Sequence, residues 1–202
     1  MTLGVDIKEV IEEIGEPITI LRSPTNITGE HVKSTVNAQV TKPFIREFFM
    51  EAWLSYDTQV VSGDWVQFAD GRVFIVMNKT ANLFESEVMR YNAVLYKTNV
   101  VATIQRQSVV TTDYSAVVTW GTVKANANVL ITEALYGNSL DADEDGGQFS
   151  MSENDLYIPA SVGIQPNDRV FISATEYYKV EAVRYRRFDN VHLATIGEDT
   201  RE

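Results

Sequence analysis

Two stretches of the chain, 104 residues apart, repeat each other. The first runs Gly63-Asp64-Trp65-Val66-Gln67-Phe68, then Asp70-Gly71 and Arg72-Val73-Phe74-Ile75-Val76. The second runs Asn167-Asp168-Arg169-Val170-Phe171-Ile172, then Glu176-Tyr177-Tyr178-Lys179-Val180. Without a gap, Asp64 falls on Asp168, Val66 on Val170, Phe68 on Ile172, Phe74 on Tyr178 and Val76 on Val180. Each copy reads as a polar turn, a strand, a tight turn and a second strand. Such a repeat points to two related β modules rather than one catalytic fold.

The chain has 202 residues, 45% of them apolar, enough for one large or two small packed domains. It has no cysteine, which removes disulfides, thiolate metal sites and cysteine nucleophiles, and its two histidines, His31 and His192, are too few for a histidine-rich metal centre. A net charge of -11 repels phosphate backbones, so sequence-specific DNA binding is not expected. No segment reaches the roughly 18 consecutive apolar residues of a membrane-spanning helix, and no membrane partner is expected.

Residues 6–14 carry Ile7, Val10, Ile11 and Ile14 at helical spacing. Asp6 is placed to cap that helix, Gly15 to end it in a left-handed conformation, and Pro17 to block its continuation. Residues 18–21 read as a strand and the polar residues 23–36 as a loop holding His31. Residues 44–56 fit a helical stripe and an alternating pattern, and their aromatic content favours a long strand. Residues 65–68 and 72–78 read as a hairpin around Asp70-Gly71, a type I′ signal. A loop near Asn82 and a third strand over 87–96 follow, with Val88, Val94 and Tyr96 inward. Short strands are expected at 117–120, 122–124 and 128–132, with the module boundary near 99–111. Strands resume at 157–158, 170–172, 177–183 and 191–196, and the charged tail 197–202 is expected to fray. The fold class is therefore mainly β: two small β-barrel-like modules, 1–99 and 100–202, with a short N-terminal helix and an acidic insertion loop over 136–155.

The sharpest chemical motif lies in that loop. Asp141, Asp143 and Asp145 alternate and precede Gly146, the opening of a calcium-binding loop. The later ligands fail, with Gln148 and Ser152 at the eighth and twelfth positions, and helical flanks are absent. A solvated acidic loop is the simpler reading, and no cofactor is expected beyond this calcium possibility. Asp64 and Asp168 read as turn residues bonding nearby amides, not as paired catalytic carboxylates. Trp53, Trp65 and Trp120, with Tyr56, Tyr91 and Tyr96, offer a sugar-binding surface or, more simply, core and interface packing. Arg184, Arg186 and Arg187 around Tyr185 suit nucleic acid or, in so acidic a chain, an acidic neighbouring subunit. No nucleophile–base set is visible, so no enzymatic activity is expected.

The run from Tyr56 to Val76 resembles the small β-barrel of tailed-bacteriophage head–tail connector proteins, the stopper or head-closure proteins. Asp57, Thr58, Gly63, Asp64, Val66, Asp70, Gly71, Phe74 and Val76 carry the likeness, which covers about residues 50–98 and extends weakly to 160–196. Such proteins usually have one such module, so the helix and second half are departures. The resemblance implies a homo-oligomeric ring in the neck of the virion, assembled in the bacterial cytoplasm. It would join portal or adaptor proteins to tail proteins, close the filled capsid, and let DNA pass without specific binding. Residues 23–36 or 136–155 would project as a gating loop. The alternative is a β-rich binding module for carbohydrate or protein, with calcium assisting, or another tail or baseplate structural protein.

Overall fold

The computed structural model describes residues 3–35, 48–112, 115–133 and 154–201. They form two compact units, Met1–Thr98 with Phe188–Val191, and Asn99–Arg187 with His192–Glu202. The chain is mainly β, with two closed six-stranded barrels and one short helix, α1, Leu3–Ile14.

The first barrel is built from β1 (Glu16–Leu21), β2 (Ile27–Thr35), β3 (Phe49–Ser55), β4 (Trp65–Phe68), β5 (Val73–Phe84) and β6 (Glu87–Lys97), in the order β1-β2-β3-β6-β5-β4. The second uses β7 (Val100–Thr112), β8 (Ser115–Glu133), β9 (Asn154–Pro159), β10 (Arg169–Ser173), β11 (Glu176–Phe188) and β12 (Val191–Glu198). Its order is β7-β8-β9-β12-β11-β10, the same topology strand for strand. Closure leaves neither sheet with an edge. The sequence repeat is a register repeat: Val66 pairs with Ile20 and Phe74, and Val170 pairs with Ile104 and Tyr178. Alternation does the rest. Ile18, Ile20, Val32, Leu54, Val66, Phe68, Phe74, Val76, Ala93 and Leu95 fill the first interior.

Several expectations are corrected. Residues 27–35 are not a loop but β2, so His31 lies in a strand opposite Pro17 and this segment is no gating loop. Val32 is its one fully buried residue, between β1 and β3, and a strand otherwise so polar resembles a loop in composition. β5 does not end near Asn82. It continues to Phe84, and the turn falls at Glu85-Ser86, where both residues take positive φ without any glycine to announce it. At Asp70-Gly71 only Gly71 has positive φ; Gly71 N–H bonds Phe68 O at 3.0 Å and Phe68 N–H bonds Arg72 O at 2.9 Å. That is a three-residue loop with a glycine bulge rather than a type I′ turn. In β6 the inward residues are Ala93 and Leu95, one place out of phase with Val88, Val94 and Tyr96. Ala93 is small, so the larger neighbours set the apparent pattern, and Tyr96 packs edge-on against Phe49.

The short strands expected between 117 and 132 form one 19-residue strand, β8. Register shifts opposite Ala102–Gln105 and left-handed Asn126 absorb the interruptions as bulges. The units divide between Thr98 and Asn99, at the edge of the expected boundary zone 99–111, and the rest of that zone is β7. Of the expected strand over 44–56, β3 begins at Phe49, and residues 44–47 lie outside the described residues. Gly15 ends α1 without a positive φ; there is simply no room for a side chain, since a Cβ would lie 2.2 Å from Ile11 O. The described part of the tail does not fray: Gly197 and Glu198 complete β12, and Asp199 is buried.

Candidate functional site

The most built feature of each unit is a turn clamped by an arginine. In the first, Asp64 N–H bonds Val61 O at 3.2 Å, and Gly63 takes a φ of +87°. In the second, Asp168 N–H bonds Gln165 O at 3.1 Å, and Asn167 takes +69°. Glycine and asparagine are the residues that a left-handed turn position accepts. Each turn is tied to the return strand by a reciprocal pair. Gly63 N–H bonds Val76 O and Val76 N–H bonds Asp64 O at 2.8 and 2.9 Å; Asn167, Val180 and Asp168 repeat both distances.

Each aspartate then takes a forked guanidinium. Arg22 gives Nε to Asp64 Oδ1 at 2.9 Å and Nη2 to Oδ2 at 2.7 Å, while Arg106 gives the same two bonds to Asp168 at 2.8 Å. The same carboxylates accept Val61 N–H and Gln165 N–H, both at 2.8 Å, as expected of turn aspartates. Nη2 of each arginine also bonds a carbonyl of the preceding loop, Gln59 O at 2.9 Å and Gly163 O at 2.8 Å. The aspartate drives each guanidinium pKa further up. The arginines were not legible from the aspartates, because they stand 42 and 62 residues away. A smaller echo marks them: Thr19-Ile20-Leu21-Arg22 against Thr103-Ile104-Gln105-Arg106, offset by 84 rather than 104. Most of the 20-residue difference lies in the β7–β8 hairpin, which spans Val100–Glu133 where β1–β2 spans only Glu16–Thr35.

The second unit adds a cluster at its C-terminal end. Asp199 accepts Arg169 Nε at 2.8 Å and Arg201 Nε at 2.7 Å, with no side-chain exposure of its own. Burial alone would raise this carboxyl, but the two arginines hold it well below the ordinary carboxylate range. Arg169 lies 3.8 Å from the ring centre of Trp120 and 4.9 Å from that of Tyr177, and also bonds Arg201 O. Arg201 Nη1 reaches Asn167 O at 2.9 Å, on the clamped turn.

Most of the aromatic residues have partners of their own. Trp65 is buried, Trp53 lies under Arg90 at 3.6 Å, Trp120 under Arg169, and Tyr91 under Lys79 at 3.9 Å. His192 stacks edge-on against Tyr185, and burial lowers its pKa. His31 lines a polar cleft of about 210 Å³ with Lys8, Glu12, Glu30 and Asp57. Its carboxylates already have work: Glu30 accepts Thr58 Oγ1 and Gln59 N–H, and Asp57 accepts Lys8 Nζ at 2.6 Å. Burial would raise the Asp57 carboxyl, but hydrogen bonds from Lys8 and Ser55 outweigh it and lower it. No group of three or more metal-ligating side chains occurs among the described residues. Asp141, Asp143 and Asp145 lie outside them. Arg184, Tyr185, Arg186 and Arg187 are all exposed on β11. The chain matches no family model, no curated protein and no solved structure.

Proposed function

We propose that this chain is a structural virion protein of a tailed phage, a ring-forming subunit of the head–tail connector that closes the filled capsid and joins it to the tail. The observation that carries the reading is where apolar side chains remain in water. Both barrels close on themselves, yet Leu83 and Phe84 at the end of the β5–β6 hairpin stay 59% and 54% exposed. On the β7–β8 hairpin, Val109 and its cross-strand partner Val118 are 59% and 44% exposed. Exposed apolar clusters on an otherwise well-buried fold mark contact surfaces. The ionisable groups with the most built surroundings, Asp64, Asp168 and Asp199, are each engaged in fixing a turn or a chain end. Two rigid blocks with apolar projections suit a subunit that meets neighbours beside, above and below it.

On this reading the portal or adaptor and the tail proteins are the axial partners, and DNA passes through an acidic ring without being held. Mass photometry of the purified full chain across a concentration series, with negative-stain microscopy of the largest species, tests it. A closed ring of discrete mass is the expected result. A monomer at every concentration, or capture of a glycan, would count against it.

A further inference from the structure

We infer that the exposed face of α1 is a docking surface whose occupant is β11 of a second copy of this chain. The inference rests on the assembling role proposed above and names the surfaces that meet. Leu3, Ile7, Val10 and Ile14 follow one another at four-, three- and four-residue steps, a single stripe along the helix. The neighbouring stripe, Gly4 and Ile11, is buried against the barrel. Leu3, Val10 and Ile14 remain 47%, 50% and 54% exposed. The barrel covers only one side of the helix's apolar arc and leaves this stripe in water. Beside the stripe lies an apolar cleft of about 210 Å³, lined by Ile7, Val10, Ile14 and Trp53, with Lys33 and Arg90 on the barrel side.

The outer flank of the stripe carries Asp6, Glu9 and Glu13, which make no ion pair among the described residues. Two such helices packed together would bring carboxylates against carboxylates, which disfavours α1 pairing with itself. The complementary surface is on β11. Arg184 and Arg186 are exposed, share one face of the strand, and likewise make no ion pair among the described residues. An arginine can lay its methylenes over Val10 and Ile14 while its guanidinium reaches the carboxylates beyond. Two different surfaces meeting in this way form a heterologous contact, which propagates into a ring or a filament.

Charge reversal tests the pairing on exposed residues that the fold does not need. One variant carries Glu9→Lys and Glu13→Lys, the other Arg184→Glu and Arg186→Glu; circular dichroism melts check folding, and sedimentation velocity reads the association. Each variant alone should need about tenfold or more protein to assemble, as loss of close charge pairs weakens an interface. An equimolar mixture should assemble again, because each chain then offers the charge the other lacks. If the wild-type chain assembles and neither reversal alters it, or if the mixture stays dissociated, this interface is wrong while the ring reading stands. If the wild-type chain is monomeric throughout, both fall.

Discussion

Asp199 shows how much one side chain can hold at the end of a chain. It is wholly buried, faces two guanidinium groups, and bonds the backbone N–H of Arg201 at 3.1 Å. Asp199→Asn leaves Arg169 and Arg201 without their counter-charge, and breaking a buried pair in this way costs about 3–5 kcal/mol. The Asp199 carboxyl titrates below its unfolded value. Its contribution is therefore complete above about pH 4, near the unfolded carboxylate pKa. It is lost as the pH falls through the folded pKa. Urea unfolding should show the gap between wild type and variant widest at neutral pH and narrowing below about pH 4. Asp168 offers a second case. Its side chain is 2% exposed, and Asp168→Ala abandons Arg106 and leaves Gln165 N–H unpaired. A loss of about 3 kcal/mol in denaturant unfolding is expected. Arg106→Lys should recover only part of the wild-type stability, because an ammonium cannot supply the fork.

At the scale of the element, α1 is held by very little. Twelve residues do not make a stable helix alone. Ile11 is the one large side chain it buries, and Lys8 joins Asp57 on the surface, where an ion pair adds little. Ile11→Ala should therefore cost about 2–4 kcal/mol and release the helix. Amide exchange in residues 3–14 would then rise well before that of β4 and β5. Gly15→Ala should act similarly, since its Cβ would strike Ile11 O and lie 3.0 Å from Val32 O. The helix, β1, β4 and β10 are legible in the sequence because their apolar residues keep a clean period. β2 and β8 are not. β2 exposes so much polar surface that composition disguises it, and β8 carries its irregularities as bulges that only the partner strand β7 reveals.

At the scale of the whole molecule, charge sets the relation to nucleic acid. With 28 acidic and 17 basic residues, the chain carries a field that repels a duplex. Fluorescence anisotropy with a labelled duplex should show no binding at about 0.1 M salt, where the Debye length is about 10 Å and a strong basic patch would still act. Saturable binding that Arg184→Glu and Arg186→Glu abolish would instead assign the basic strand to DNA. Duplication is the other property at this scale. Two barrels of one topology carry the same clamp; among the described residues the second differs in its longer β7–β8 hairpin and in the Asp199 cluster.

By itself the sequence determined the duplication, the β class, the first residues of each repeat and the role of Asp64 and Asp168 in turns. These are local matters: alternation and turn chemistry act between residues a few places apart. The sequence also pointed to barrels, but only the tertiary structure decided which strands close them, that residues 27–35 form part of one wall, and that Arg22, Arg106, Arg169 and Arg201 neutralise buried carboxylates. A barrel closes by pairing β1 with β4 and β7 with β10, and an ion pair forms wherever that closure brings opposite charges together. Neither depends on distance along the chain, so neither leaves a periodic trace in it.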